Sequence, residues 1–182
     1  MNESSDFAEQ LIAAIPGLRA FGVSLTSKTD RADDLVQETM LKAWKHHDSF
    51  EPGTNMKAWL YTILRNEFYS QIRKRKREVE DADGIHASRV AVPGAQLGHL
   101  DMADMRVALA QLPEDQREAI ILVGASGFTY EEAALICRVA VGTIKSRVSR
   151  ARMRLTEILA LSPVELSRQD KRDEGPQTRT AA

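Results

Sequence analysis

Apolar positions along this chain recur at intervals of three and four, the period of an α-helix, and almost nowhere alternate as a strand requires. The pattern predicts helices near 6–25, 30–47, 55–77, 103–111, 114–125, 129–137 and 141–159. Pro16-Gly17, Pro52-Gly53, Pro113 and Gly127 punctuate it. Because Pro16-Gly17 interrupts an apolar pattern, the first helix is expected to kink or split there. From Glu78 to about Leu100 the periodicity fails: Glu-Val-Glu-Asp-Ala-Asp-Gly is acidic, and Pro93-Gly94 and Gly98 follow. A gap of that length exceeds most loops within one compact domain and reads as an interdomain linker. Beyond Pro163 the chain is polar, charged and poor in large apolar residues, which predicts a disordered tail. The expected fold is all-α: two small helical domains, 1–77 and 101–160, joined by a flexible linker over 78–100 and followed by a tail over 161–182.

The last predicted helix carries the sharpest chemical signal. Val141-Gly-Thr-Ile-Lys-Ser-Arg-Val-Ser-Arg-Ala-Arg-Met-Arg-Leu155 holds five basic side chains and no acidic one. At about 100° per residue, Ile144, Val148, Ala151 and Leu155 share one face, while Thr143, Ser146, Arg147, Arg150 and Arg154 gather on the far side. Just upstream, Thr129-Tyr-Glu-Glu132 has the form of a capping box, so a helix should begin at Tyr130. Ala133 and Ala134 leave room for a second helix to cross closely, and Arg138-Val-Ala140 is a short connector. This is a helix-turn-helix layout, whose second helix ordinarily enters the DNA major groove. A solvated basic face on an ordinary bundle helix is the competing reading of the charge run alone. Ala140 and Val141 are poor N-caps, so the basic helix must rely on packing for its start.

Bulk properties narrow the class. In 182 residues the net charge is only −1, so DNA binding must come from segregated charge rather than from the chain as a whole. One cysteine, Cys137, excludes an internal disulfide framework; it reads as a small buried apolar residue. His46, His47, His86 and His99 do not combine with it at any zinc-ligand spacing. No signal-type N-terminus and no run of eighteen apolar residues occurs, which predicts a cytoplasmic protein without a membrane partner. No triad, metal cluster or phosphate-binding glycine loop is found, so neither an enzyme, a cofactor nor a small-molecule substrate is expected.

Two helices of the N-terminal half also divide their faces. In 55–77, Leu60, Leu64, Phe68 and Ile72 form a core side, whereas Trp59, Thr62, Asn66, Tyr69, Ser70, Arg73 and Arg77 fall within about 100° of arc on the other. Rings, an amide and guanidinium groups together make a platform on which unpaired bases stack while the backbone tracks positive charge. The run Arg73-Lys-Arg-Lys-Arg77 also suits a helix C-terminus through the macrodipole, and a Trp at helical spacing is often core. In 30–47, Ala32, Leu35, Val36, Met40 and Ala43 form the buried side, and Asp34, Gln37, Glu38 and Leu41 point away. A leucine exposed in an acidic, amide-bearing patch suits a protein-docking surface, although single surface leucines are common.

These residues resemble the extracytoplasmic-function (ECF) sigma factors of bacterial RNA polymerase. Asp33-Asp-Leu-Val-Gln-Glu-Thr-Met-Leu-Lys-Ala-Trp44 resembles their region 2.2 helix, and Lys57-Ala-Trp-Leu-Tyr-Thr-Ile-Leu-Arg-Asn66 their region 2.3 to 2.4 segment. Leu112-Pro-Glu-Asp-Gln-Arg-Glu-Ala119 and Gly142-Thr-Ile-Lys-Ser-Arg-Val-Ser-Arg-Ala-Arg152 resemble region 4. The likeness covers about 8–77 and 101–160. Arg65-Asn-Glu-Phe-Tyr-Ser-Gln-Ile-Arg-Lys-Arg-Lys-Arg-Glu78 looks closest to the EcfG-type general-stress sigma factors, since most ECF sigma factors have an aspartate and a tyrosine in place of Ser70 and Gln71.

The resemblance implies a sigma factor that directs promoter-specific initiation by core polymerase. Asp34, Gln37, Glu38 and Leu41 would dock on the β′ clamp helices, with region 4 on the β flap. Trp59, Thr62, Asn66, Tyr69, Arg73 and Arg77 would meet the −10 element, and the loop Phe50-Glu-Pro-Gly-Thr-Asn-Met56 sits where the family captures a flipped base. At the −35 element, Arg147 and Arg150 would read guanine edges, with Thr143, Lys145, Ser146, Arg152 and Arg154 beside them, the basic ones on phosphates. An anti-sigma factor of the NepR type is implied as a further partner. The rival expectations are a helix-turn-helix regulator and a sigma-like decoy, neither of which initiates transcription.

Overall fold

The computed structural model describes residues 3–80 and 102–160; of the expected linker, 78–80 continue the helix before it, and the rest of the linker and the tail lie outside the described residues. Among the described residues the chain forms α-helices and no strand: α1 (Glu3–Thr26), α2 (Thr29–Lys45), α3 (Met56–Glu80), α4 (Met102–Ala110), α5 (Glu114–Ile120), α6 (Tyr130–Cys137) and α7 (Val141–Ala160). Each predicted helix is present within a few residues of its expected ends.

The first three helices pack as a bundle around Leu18, Phe21, Leu35, Leu60, Tyr61 and Leu64, all fully buried. The α1–α2 turn needs a left-handed residue, taken by Ser27 at φ 57°; the Thr26 hydroxyl donates to the Gly22 carbonyl at 2.9 Å and accepts from the Lys28 amide at 3.3 Å. Gly22 lets the two helices meet closely, because a Cβ there would lie 3.3 Å from that of Ala32. The expected kink or split at Pro16 does not form two helices: α1 runs unbroken from Glu3 to Thr26. Leu11 lies before the proline and Leu18, Phe21 and Leu25 after it, all buried in one core, so packing offsets the lost backbone hydrogen bond. Gly17 has a further role. A Cβ at that position would come within 2.8 Å of the Tyr61 hydroxyl, so glycine makes room for that ring.

In the C-terminal half, α5 widens at its end into a π turn over Ile121–Ala125, closed by the Ser126 amide on the Ile121 carbonyl at 2.8 Å. Gly127 then turns at φ 73°. The capping box of α6 is complete: Thr129 Oγ1 accepts from the Glu132 amide at 3.1 Å, and Glu132 accepts from the Thr129 amide at 2.9 Å. Arg138 ends α6 in the left-handed region, and only Val139 and Ala140 separate it from α7. Ala133, Ala134, Ile144 and Val148 are buried, and Ala108, Leu112, Ala151 and Leu155 form a smaller cluster beneath α4.

The two halves are packed together. One apolar cluster runs from Leu11 through Tyr61 to Ile144, with Tyr61 stacked on Phe21 at 5.0 Å and edge-on to Phe128 at 4.9 Å. Helix α3 lies against α6, and α1 against α5.

Candidate nucleic-acid interface

The N-terminus of α3 is set by Asn55, whose side-chain oxygen accepts from the Ala58 amide at 3.1 Å and so satisfies one free donor of the first turn. From this start Trp59, Asn66, Ser70 and Arg73 line a groove of about 470 Å³ closed on the other side by Lys42 of α2 and by His46 just after that helix. Trp59 is half-buried, its ring 5.3 Å from Phe50 and 6.3 Å from Phe7, so packing fixes the ring whose remaining edge borders the groove. Glu67 also faces this basic groove. Lys42 and Gln71 bind it, and although burial alone would raise its carboxyl, these hydrogen bonds hold it below the usual range. Its charge is thereby matched by a lysine from the neighbouring helix.

The other residues of the predicted −10 set lie differently. The Thr62 hydroxyl donates to the Ala58 carbonyl at 2.8 Å, and Arg77 is exposed. Tyr69 faces the C-terminal half: Arg65 stacks on its ring at 4.6 Å, and its hydroxyl lies 3.5 Å from Glu118. Burial, then the Glu118 charge, raises its phenol well above the ordinary value. The groove thus unites Trp59, Asn66 and Arg73, but not Tyr69.

On α2, Asp34, Gln37, Glu38 and Leu41 are all exposed, Leu41 by 64%. Trp44, one turn further on, is exposed by 56% and extends the apolar part of this face. Its spacing of three from Leu41 was the available signal. Thr39 is fully buried, its hydroxyl bound to the Leu35 carbonyl at 2.7 Å.

On α7, Ile144, Val148, Ala151 and Leu155 are buried as the stripe requires, leaving Lys145, Arg150, Arg152 and Arg154 exposed. Lys145 lies 5.8 Å from the Tyr130 ring, and Ser146 donates to the Thr143 carbonyl at 2.8 Å. Arg147 is engaged inside the domain: its Nε is 3.1 Å from Asp115 of α5. Arg150, a turn away, is exposed and carries no such contact among the described residues.

Periodicity did not single out the polar residues between the halves. Arg65 Nε donates to Glu118 at 2.6 Å, and Glu118 is 1% exposed. Burial would lower the Arg65 guanidinium, but the hydrogen bond and charge of Glu118 outweigh it and the group is raised. Asn55 donates to Glu132 at 2.7 Å, and Lys57 donates to the Ser126 carbonyl. Glu118 shares its helical face with the buried Ile121 and Leu122, and a charge on an apolar stripe was the signal.

The fold and its faces define a bipartite helical DNA-binding protein of the sigma-70 type: the family model "Sigma-70 region 2" matches residues 11–78 and "Sigma-70, region 4" matches 102–155. The "ECF RNA polymerase sigma factor EcfG" of Rhodopseudomonas palustris is 58% identical over 86% of this chain and 87% of its own. The sigma factor RpoE of Bartonella quintana, solved with the anti-sigma factor NepR, is 61% identical with a TM-score of 0.75 over 87% of this chain and 99% of that one. This chain belongs to the ECF sigma factors. PhyRSL of Sphingomonas sp. Fr1, solved with NepR, shares the fold at 20% identity and a TM-score of 0.63, over 96% of this chain and 98% of that one. Among the described residues no helix is long and apolar enough to cross a membrane.

Proposed function

We propose that this chain is a general-stress sigma factor whose tasks are divided among three helical faces, acting in the cytoplasm under an anti-sigma factor of the NepR type. The exposed α2 face of Asp34, Gln37, Glu38 and Leu41, extended by Trp44, docks on core polymerase. The α3 groove takes the −10 element as an unpaired strand, with Asn66 at a base edge, Trp59 as the stacking wall and Arg73 on phosphate. Opening the duplex costs about 1.4 kcal/mol per base-pair step, which captured bases and core contacts must offset. Helix α7 lies in the −35 major groove, where Arg150 reads a base edge and Arg152 and Arg154 hold phosphates. The observation that carries this reading is the pairing, in one chain, of a Trp-Asn-Arg groove with a separate basic recognition helix. Polymerisation chemistry belongs to the partner enzyme. The 61% identity to a sigma factor solved with NepR supports the anti-sigma assignment.

Run-off transcription with purified core polymerase tests this reading. The chain should confer initiation on a promoter bearing both elements. Asp34→Ala with Leu41→Ala should lower core affinity without changing promoter preference, and Arg150→Ala should do the reverse. A chain that binds core but never initiates is a decoy, and one that binds duplex DNA without core is an ordinary regulator.

A further inference from the structure

Among the described residues that line the α3 groove, Lys42 and Arg73 are cationic and Glu67 is the one carboxylate. A carboxylate repels the phosphates of a strand, so its presence in this wall calls for another purpose. The Glu67 side chain is 12% exposed. Its Oε1 accepts from Gln71 Nε2 at 3.0 Å, one helical turn on, and its Oε2 accepts from Lys42 Nζ across the groove. Burial would raise the carboxyl, but these hydrogen bonds hold it below the usual range, and it stays an ionised acceptor at neutral pH. Each carboxylate oxygen carries two lone pairs, so the two bonds leave half of its accepting capacity open, and the lysine ammonium has two further N–H groups to donate. The groove wall therefore sets a pair of acceptors beside a donor.

Unpaired bases differ in how they meet that pattern, because the edge normally used in pairing is free to be read. Guanine alone offers a carboxylate two adjacent donors, N1–H and N2–H, with O6 beside them for an ammonium. Adenine and cytosine offer one amino donor and thymine one imide N–H, each flanked by acceptors that a carboxylate repels. We propose that Glu67, steadied by Gln71 and paired with Lys42, is a specificity-determining residue that selects an unpaired guanine in the −10 groove. This rests on the sigma-factor reading above. Trp59 supplies the ring on which such a base stacks, and Arg73 the charge for its phosphate. The competing role for the pair is a strut between α2 and α3, which would hold the helices together without distinguishing one base from another.

Holoenzyme assembled from core polymerase and the full chain tests this on bubble templates randomised over the unpaired −10 segment, with the bound fraction sequenced. The wild type should favour guanine at one position by about tenfold, the scale of a good bidentate base contact. Glu67→Gln keeps the side-chain volume but turns one acceptor into a donor, and it should lose the preference at that position alone. Chemical changes in the DNA give a second measurement. Inosine in place of the selected guanine lacks the N2 amine; it should weaken binding severalfold for the wild type and leave Glu67→Gln unaffected. With 7-deazaguanine, whose pairing edge is intact, both proteins should bind as they do to guanine. If Glu67→Gln loses helicity by circular dichroism, the two base analogues on the wild type decide. Equal weakening of every template by Glu67→Gln, or inosine bound as well as guanine, would make the pair a strut and overturn the proposal. Bubble binding with no guanine-preferring position overturns this inference alone, whereas a holoenzyme that engages no template overturns the sigma-factor reading and this inference with it.

Discussion

Cys137, Arg65 and Glu118 meet at the base of α6, and their burial sets their chemistry. Burial, followed by the charge of Glu118, pushes the Cys137 thiol up to about 12 from its ordinary 9.0. Below pH 9 the thiol is protonated in both folded and unfolded chains and has no effect on the balance. Between 9 and 12 only the unfolded thiol ionises, so stability falls as pH rises through that window. At pH 10 this cost is roughly 1 kcal/mol. Cys137→Ala should therefore lose less stability than the wild type between pH 7 and pH 10, measured by urea midpoints. The thiol should also resist alkylation at pH 8 until the chain is denatured. An equal alkaline loss in both proteins would assign it to other groups. Cys137 was readable as an apolar core residue because its helix is short and otherwise packed. Its carboxylate neighbour was not, since Glu118 lies nineteen positions upstream and only the folded chain brings the two together.

Helices that carry their own start signals were legible, and helices shaped by neighbours were less so. The α6 cap illustrates the first kind: Thr129 and Glu132 satisfy each other's backbone amides within four residues, a bond pattern that depends on nothing distant. Pro16 illustrates the second, because its local effect favours a break while buried residues on both sides keep α1 whole. The −10 face lies between these cases. Its arc was readable from periodicity, but the pairing of Lys42 with Glu67 and the turn of Tyr69 toward α5 depend on which helices flank α3. Thr129→Ala should shorten or fray the start of α6 and cost about 1 kcal/mol. The Thr129 amide holds the Glu132 carboxyl below the usual carboxylate range, so its contribution is present above that range and fades as pH falls through it. Thermal unfolding at pH 7 and pH 4 should show a smaller gap between variant and wild type at the lower pH. A gap independent of pH would place the loss in the threonine hydroxyl alone.

At the scale of the whole molecule, two domains expected to be independent share an apolar cluster from Leu11 to Val148, and this bears on how the chain unfolds. A helical unit the size of 102–160 buries too little of its own surface to be more than marginally stable alone. Contact with α1 and α3 covers Phe128, Ala134 and Glu118 and adds to that stability, coupling the halves into one cooperative unit. Calorimetry of the free wild-type chain should then give a single transition whose van't Hoff and calorimetric enthalpies agree. Glu118→Gln leaves the Arg65 guanidinium facing a neutral amide and so weakens the coupling, without opening a cavity in either core because the amide keeps the carboxylate's volume. That variant should show two transitions, with the C-terminal half melting first and the three-helix bundle remaining near the wild-type midpoint. If the variant keeps one transition at a lower temperature, the shared apolar cluster and not the ion pair couples the halves.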